Sequence, residues 1–135
     1  MNKLIWTLQV LLAVVFLAHG VMFLNPPAEY VEMMNAQLGV GFRLFLGVAE
    51  VLAAIGLIAP ALTRILPWLT PLAAAGVMII MVAATGMHFI RAEYSSTVTT
   101  AILLAMATFV AYQRWKVRPI APRTAPVMAR SSAHS

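Results

Sequence analysis

The 135-residue chain contains no cysteine. Disulfides, thiolate catalysis, iron–sulfur clusters and cysteine-based zinc sites are therefore excluded. Charge is scarce as well, at 10% of residues against about 25% in soluble domains. No Gly-rich phosphate loop, nucleophile elbow or metal-ligand spacing occurs. No folded element carries the aromatic-interleaved basic face that nucleic-acid binding requires, so nucleic acid is not an expected partner. A redox role for such a chain would have to come from a bound cofactor such as a quinone or a haem.

What the chain does have is apolar length. It is 62% hydrophobic, with a mean hydropathy of +0.91. Four apolar runs, roughly residues 4–24, 42–60, 67–90 and 98–112, occupy most of it. About 20 apolar residues in a helix cross the roughly 30 Å hydrocarbon core of a bilayer. The expected fold is all-α: a four-transmembrane-helix bundle over residues 1–113, followed by a basic, Pro-rich tail over 114–135. Prolines at 119, 122 and 126 alternate there with small and basic residues, so the tail is expected to be disordered. With the apolar length used in spanning, no separate catalytic domain is expected. No internal repeat is evident.

Local signals set the expected boundaries. The first run opens on Lys3 and carries small residues at Ala18 and Gly20, as a signal peptide would. His19 separates those two, however, and the run stays apolar to Leu24, so it reads as an uncleaved helix. Asn25-Pro26-Pro27 ends it. Residues 28–41 form the longest connection, with Tyr30, Val31, Met33 and Met34 suggesting a short interfacial helix. The second span is expected to close at Pro60, and the third to open near Pro67. Ser95 or Ser96 is the expected cap of the fourth.

Charge sets the expected orientation. Lys3, Arg64 and the tail cations Arg114, Lys116, Arg118, Arg123 and Arg130 fall on one side; Arg43 and Arg91, with Glu29, Glu32 and Glu93, fall on the other. The positive-inside rule places both termini in the cytoplasm of a cell whose cytoplasmic membrane the chain crosses. The net charge of +5 thus belongs to a tail suited to anionic lipid.

Ionisable groups inside spans are costly and mark function or a structural tie. Here they are His19, Arg43, Glu50 and His88, and the topology brings them to one level near the outer leaflet. Arg43, Gly47, Glu50 and Ala54 form one stripe of the second span. Gly47 on that stripe admits a neighbouring backbone. In the first span Gln9, Leu12, Phe16 and His19 follow a seam; in the third, Met81, Thr85 and His88 fall together. Two readings stand side by side. Glu50, Arg43, His19, His88 and Thr85 form a quinone or proton site, or they form a static clamp that fixes helix register. Bis-histidine haem ligation by His19 and His88 is the weaker alternative, since two histidines in a bundle meet that test often. The nine methionines read as packing filler, and His134 as an ordinary tail residue.

The stretch from Arg43 to Pro60 (RLFLGVAEVLAAIGLIAP) resembles the second helix of DoxX-like membrane proteins: an Arg, then Gly, then Glu, followed by Gly-Leu and a proline exit. The following stretch, LPWLTPLAAAGVMIIMVAATGMHFI, resembles their third helix. Arg43, Gly47, Glu50, Gly56, Leu57, Pro60 and His88 carry the resemblance, which covers roughly residues 4–113. It implies a four-helix bundle in a prokaryotic cytoplasmic membrane. Some relatives are subunits of quinone-linked sulfur oxidoreductases; others associate with membrane oxidoreductases or assist membrane-protein assembly. The expectation is an accessory subunit of a quinone-linked oxidoreductase, with oxidoreductase subunits as partners, Gly47 and Gly56 as helix-packing residues, and homo-oligomers compatible with its size. The alternative is a non-enzymatic assembly or interaction subunit. A channel is disfavoured, because four short helices leave little room for a solute path.

Overall fold

The computed structural model describes residues 1–123. Expectations for the tail beyond, including its disorder and His134, lie outside those residues. Five α-helices follow one another: α1 (Asn2–Leu24), α2 (Ala28–Leu38), α3 (Val40–Thr63), α4 (Leu69–Ile90) and α5 (Tyr94–Tyr112). The last continues through a wider π-type turn, Gln113–Val117. Among the described residues α1, α3, α4 and the stretch Tyr94–Val117 are each long and apolar enough to cross a membrane. The expected four-helix transmembrane bundle is therefore the observed one.

Helix ends follow local chemistry, with two departures from expectation. The Asn25-Pro26-Pro27 break stops α1, and Gly39, at φ 79°, lets the chain turn from α2 into α3 where a side chain would be strained. Pro60 does not end α3, which runs on to Thr63. Proline removes only its own N–H and presses on the carbonyl four residues back, a defect that packed membrane helices absorb. The helix stops instead at Arg64, which adopts the left-handed conformation at φ 60°. At α5 neither Ser95 nor Ser96 caps; Glu93 holds that position without a side-chain cap bond. The last span ends within the aromatic–basic group Tyr112, Arg114, Trp115 and Lys116, and its final turn carries Arg114 into the bundle.

The bundle is a ring in which α1 packs on α3, α3 on α4 and α4 on α5, while α5 meets α1 more lightly. Small residues set the closest approaches. A Cβ placed on Gly20 would lie 2.9 Å from the Gly47 carbonyl oxygen, and one on Gly47 would lie 2.8 Å from the Leu24 side chain. One on Gly56 would lie 2.8 Å from Ala73 Cβ. Backbone contact of this kind is how membrane helices gain dispersion energy without help from the hydrophobic effect.

The core is not centred. Its members are Leu12, Phe16, Ala53, Leu57, Val77 and Val110 with smaller neighbours. Buried residues of α4 stop at Met81, and those of α5 are Ala107 and Val110. Packing is therefore tight toward the end that carries Asn2 and Val117, the terminal end of the described chain. At the opposite end the α1–α3 and α4–α5 pairs leave a space between them, beside α2. Beyond Val117 the chain turns back over the α3–α4 connection, where Arg123 N–H donates to the Arg64 carbonyl at 2.8 Å.

Candidate functional site

The space at the α2 end is a cavity of about 520 Å³ lined by all five helices. Most of its wall is apolar: Phe16 from α1, Met34 from α2, Leu46 from α3, Met81 from α4 and Leu103 from α5. Volumes of about 300–1,000 Å³ with few polar groups are typical of small-molecule sites. The polar groups on this wall include His19, Glu50, His88 and Thr100.

Helix α3 delivers Glu50 almost fully buried, at 1% exposure. Next to Val51 and one turn along from Gly47, it sits where α1 comes closest, which brings His19 within reach. His19 Nδ1 donates to Glu50 Oε2 at 2.6 Å. A carboxylate this deeply buried needs such a partner, since desolvation penalises an isolated charge. The His19 ring leans on Phe23 at 4.4 Å between centroids, and its side chain remains 45% exposed. The imidazole thus connects a buried acid to the cavity.

Arg43 does not join this pair. Its Nε donates to Asn35 Oδ1 of α2 at 2.8 Å, and a second guanidinium nitrogen donates to the Phe23 carbonyl. Phe23 lies in the last turn of α1, where carbonyls lack helical partners and carry partial negative charge. Arg43 therefore fastens the α1–α2–α3 connection, and among the described residues it forms no ion pair with a carboxylate. His88 does not reach Glu50 either; its Nδ1 donates to Glu93 Oε2 at 2.5 Å. Thr85 donates to the Thr100 hydroxyl at 2.9 Å, tying α4 to α5 beside the cavity. Gly47 faces α1 and Gly56 faces α4, as described above. Among the described residues no three His, Asp or Glu side chains gather closely enough to hold a metal ion.

A second polar assembly lies at the other end, and sequence reasoning did not assemble it. Gln9 is fully buried; its Nε2 donates to the Leu57 carbonyl at 2.8 Å. Its Oε1 accepts from Arg114 Nε at 2.6 Å. Arg114, only 4% exposed, also donates to Asn2 Oδ1 at 3.1 Å, and its guanidinium lies 5.3 Å from the Trp6 ring centroid. The signal available in the sequence was Gln9 itself, an amide inside an apolar run that needs a partner. Arg114 looked like one more tail cation.

A bundle of four apolar spans, with Gln9, Glu50 and Arg114 buried inside it, defines a multi-pass membrane protein. The DoxX-like family model matches residues 7–110, about three-quarters of the chain, and the protein belongs to the DoxX-like family. No curated protein and no solved structure matches it.

Proposed function

We propose that the protein is a small subunit of the cytoplasmic membrane that supports a quinone-linked oxidoreductase by binding a quinone in the α2-end cavity. The observation that carries the reading is the His19–Glu50 pair on the wall of an otherwise apolar space. The residues present suit the group: apolar side chains for a lipophilic ring and tail, and an imidazole whose free nitrogen can meet a ring oxygen. When bound, a quinone supplies a two-electron, two-proton couple, the electrons coming from the partner oxidoreductase.

The chain's own residues would manage position and protons. Phe16, Met34 and Met81 exclude water and hold the ring. Glu50 Oε2, accepting from His19 Nδ1–H, would fix the tautomer and ring orientation and leave Nε2 for the ligand. That nitrogen would accept from a ring hydroxyl of the reduced ligand. Glu50 would be the group that positions the imidazole, and His19 the group that touches the ligand. Arg43 has its place in this scheme as a fastener of the helix connection next to the site. The basic end with Lys3, Arg64, Lys116, Arg118 and Arg123 would face the cytoplasm, by the positive-inside rule, which sets the cavity toward the opposite leaflet.

A second reading is a non-enzymatic assembly or interaction subunit. It is favoured by the same hydrogen bond, because His19 and Glu50 join α1 to α3 beside the Gly20–Gly47 contact and would lock helix register without any ligand. Glu50→Gln separates the two. Membranes carrying the variant are solubilised with any copurifying oxidoreductase, and quinone content per folded protein and quinone reduction are measured. The quinone reading expects a fall of about tenfold in retained quinone, equivalent to about 1.4 kcal/mol, with folded yield near that of the native chain. Reduced yield with unchanged quinone content and rate would leave the lock reading in its place.

A further inference from the structure

The α4–α5 turn carries a second histidine–carboxylate pair that the reading above leaves unused. His88 and Glu93 are joined at 2.5 Å, and His88 lines the same cavity as His19. In the ring of helices α1 and α4 are not neighbours; α3 and α5 stand between them. The two imidazoles therefore enter the cavity from diagonal positions, and apolar side chains such as Phe16, Met81 and Leu103 contribute to the wall shared by both.

The two pairs are built alike. Each imidazole uses Nδ1 toward a carboxylate, and among the described residues neither Nε2 has a protein partner. A hydrogen bond at one ring nitrogen fixes the tautomer and the ring orientation, and leaves the other nitrogen to meet a ligand. Glu93 is itself held in place. Its N–H donates to the His88 carbonyl at 2.9 Å and its carbonyl accepts from Thr97 N–H at 2.9 Å, so the turn presents the carboxylate to the ring it orients. Both side chains are partly open, His88 at 32% and Glu93 at 43%, whereas Glu50 is buried; of this pair His88 lines the cavity, with Glu93 behind it.

We propose that the cavity binds a ring bearing two oxygen functions, one met by His19 and the other by His88, with Glu93 as the positioning residue for His88. The proposal rests on the quinone reading and narrows it to the reduced form of a ring with oxygens at opposite ends, a para-hydroquinone, because an imidazole whose Nδ1–H is donated to a carboxylate keeps an Nε2 lone pair that accepts from a ring hydroxyl. A ring with a single oxygen gains one of the two hydrogen bonds and leaves the other imidazole unsatisfied.

The test compares two ligands on the full-length protein in lipid nanodiscs by equilibrium binding. One is a methyl-substituted 1,4-naphthohydroquinone kept reduced with dithionite; the other is the corresponding 1-naphthol, with the same fused carbon skeleton and one hydroxyl. The native chain is expected to prefer the hydroquinone by about tenfold, the worth of one well-made hydrogen bond. His88→Phe and Glu93→Ala are each expected to shrink that preference to about twofold or less, with the folding of each variant checked separately by its Tm. A hydroquinone preference that survives both substitutions overturns the proposal. Equal affinities in the native chain overturn it as well and leave a site that uses the His19–Glu50 pair alone. No binding of either ring overturns the quinone reading together with this one.

Discussion

The two ends of the bundle solve the problem of polar groups in lipid differently. At the terminal end Gln9 and Arg114 are buried among packed helices and linked in series, from the Leu57 carbonyl through Gln9 to Arg114 and Asn2. That chain of bonds spans three helices. At the α2 end His19 and His88 line a 520 Å³ space, each joined to a carboxylate, Glu50 or Glu93. A network whose bonds run from helix to helix gives register and stability. A pair that keeps one nitrogen unspent keeps the capacity to bind. The difference separates a structural polar site from a ligand site within one small protein, and it depends on packing, because the same residue types in a filled core would have no space to serve.

The comparison rests first on α1 and α3 being locked together along their whole length, so that the cavity is a gap between two rigid pairs. Gly20→Leu breaks it most severely. The new side chain would meet the Gly47 carbonyl and the Val51 amide, at 2.9 and 3.0 Å from its Cβ alone, and backbone cannot step aside as a side chain can. A loss of about 3 kcal/mol is expected, at the upper end of overpacking penalties, read as lowered Tm and poor folded yield in detergent. A native Tm would mean that the helices part easily at that level.

Next in size is the terminal network. Gln9→Leu keeps the volume nearly constant but removes the acceptor for Arg114 Nε, leaving a buried guanidinium short of partners. About 1–3 kcal/mol should be lost in a denaturation titration, with ligand retention at the α2 end unchanged. A fall in retained ligand that matched the Glu50→Gln effect would show the two ends to be one coupled system, and the contrast between them would dissolve.

The fold was legible because length and hydropathy act locally: 20-residue apolar runs and a double proline identify spans without knowledge of their neighbours. The course of α3 through Pro60 was not, because the cost of a proline inside a helix depends on what packs beside it. For the site, depth was legible and partnership was not. His19, Glu50 and His88 could each be placed along a span, but which acid meets which imidazole depends on helix rotation and on Glu93, a loop residue that drew attention only as a charge. Arg43 shared a stripe with Glu50, yet the pull of unpaired carbonyls at the end of α1 and of Asn35 on α2 turned it elsewhere. Gln9 and Arg114 lie 105 positions apart, and no local pattern announces such a bond.

The smallest effect expected is the one that probes how the open half is held. On the cavity side of Met81, α4 and α5 have no buried apolar contact comparable to Val77 against Val110, and the Thr85–Thr100 hydrogen bond at 2.9 Å ties them there. Thr85→Val removes that bond without changing shape. The Thr100 hydroxyl keeps the Ser96 carbonyl as acceptor at 2.9 Å, so nothing is stranded. Interhelical hydrogen bonds in membranes average about 0.6 kcal/mol, and a loss near that value is expected, with ligand affinity changing by less than about threefold. A cost above about 2 kcal/mol would place real packing energy on the open side. The cavity would then be walled by helices as firmly set as those of the terminal end, and the division into a tight half and a loose half would have to give way to a uniformly rigid bundle with a hole in it.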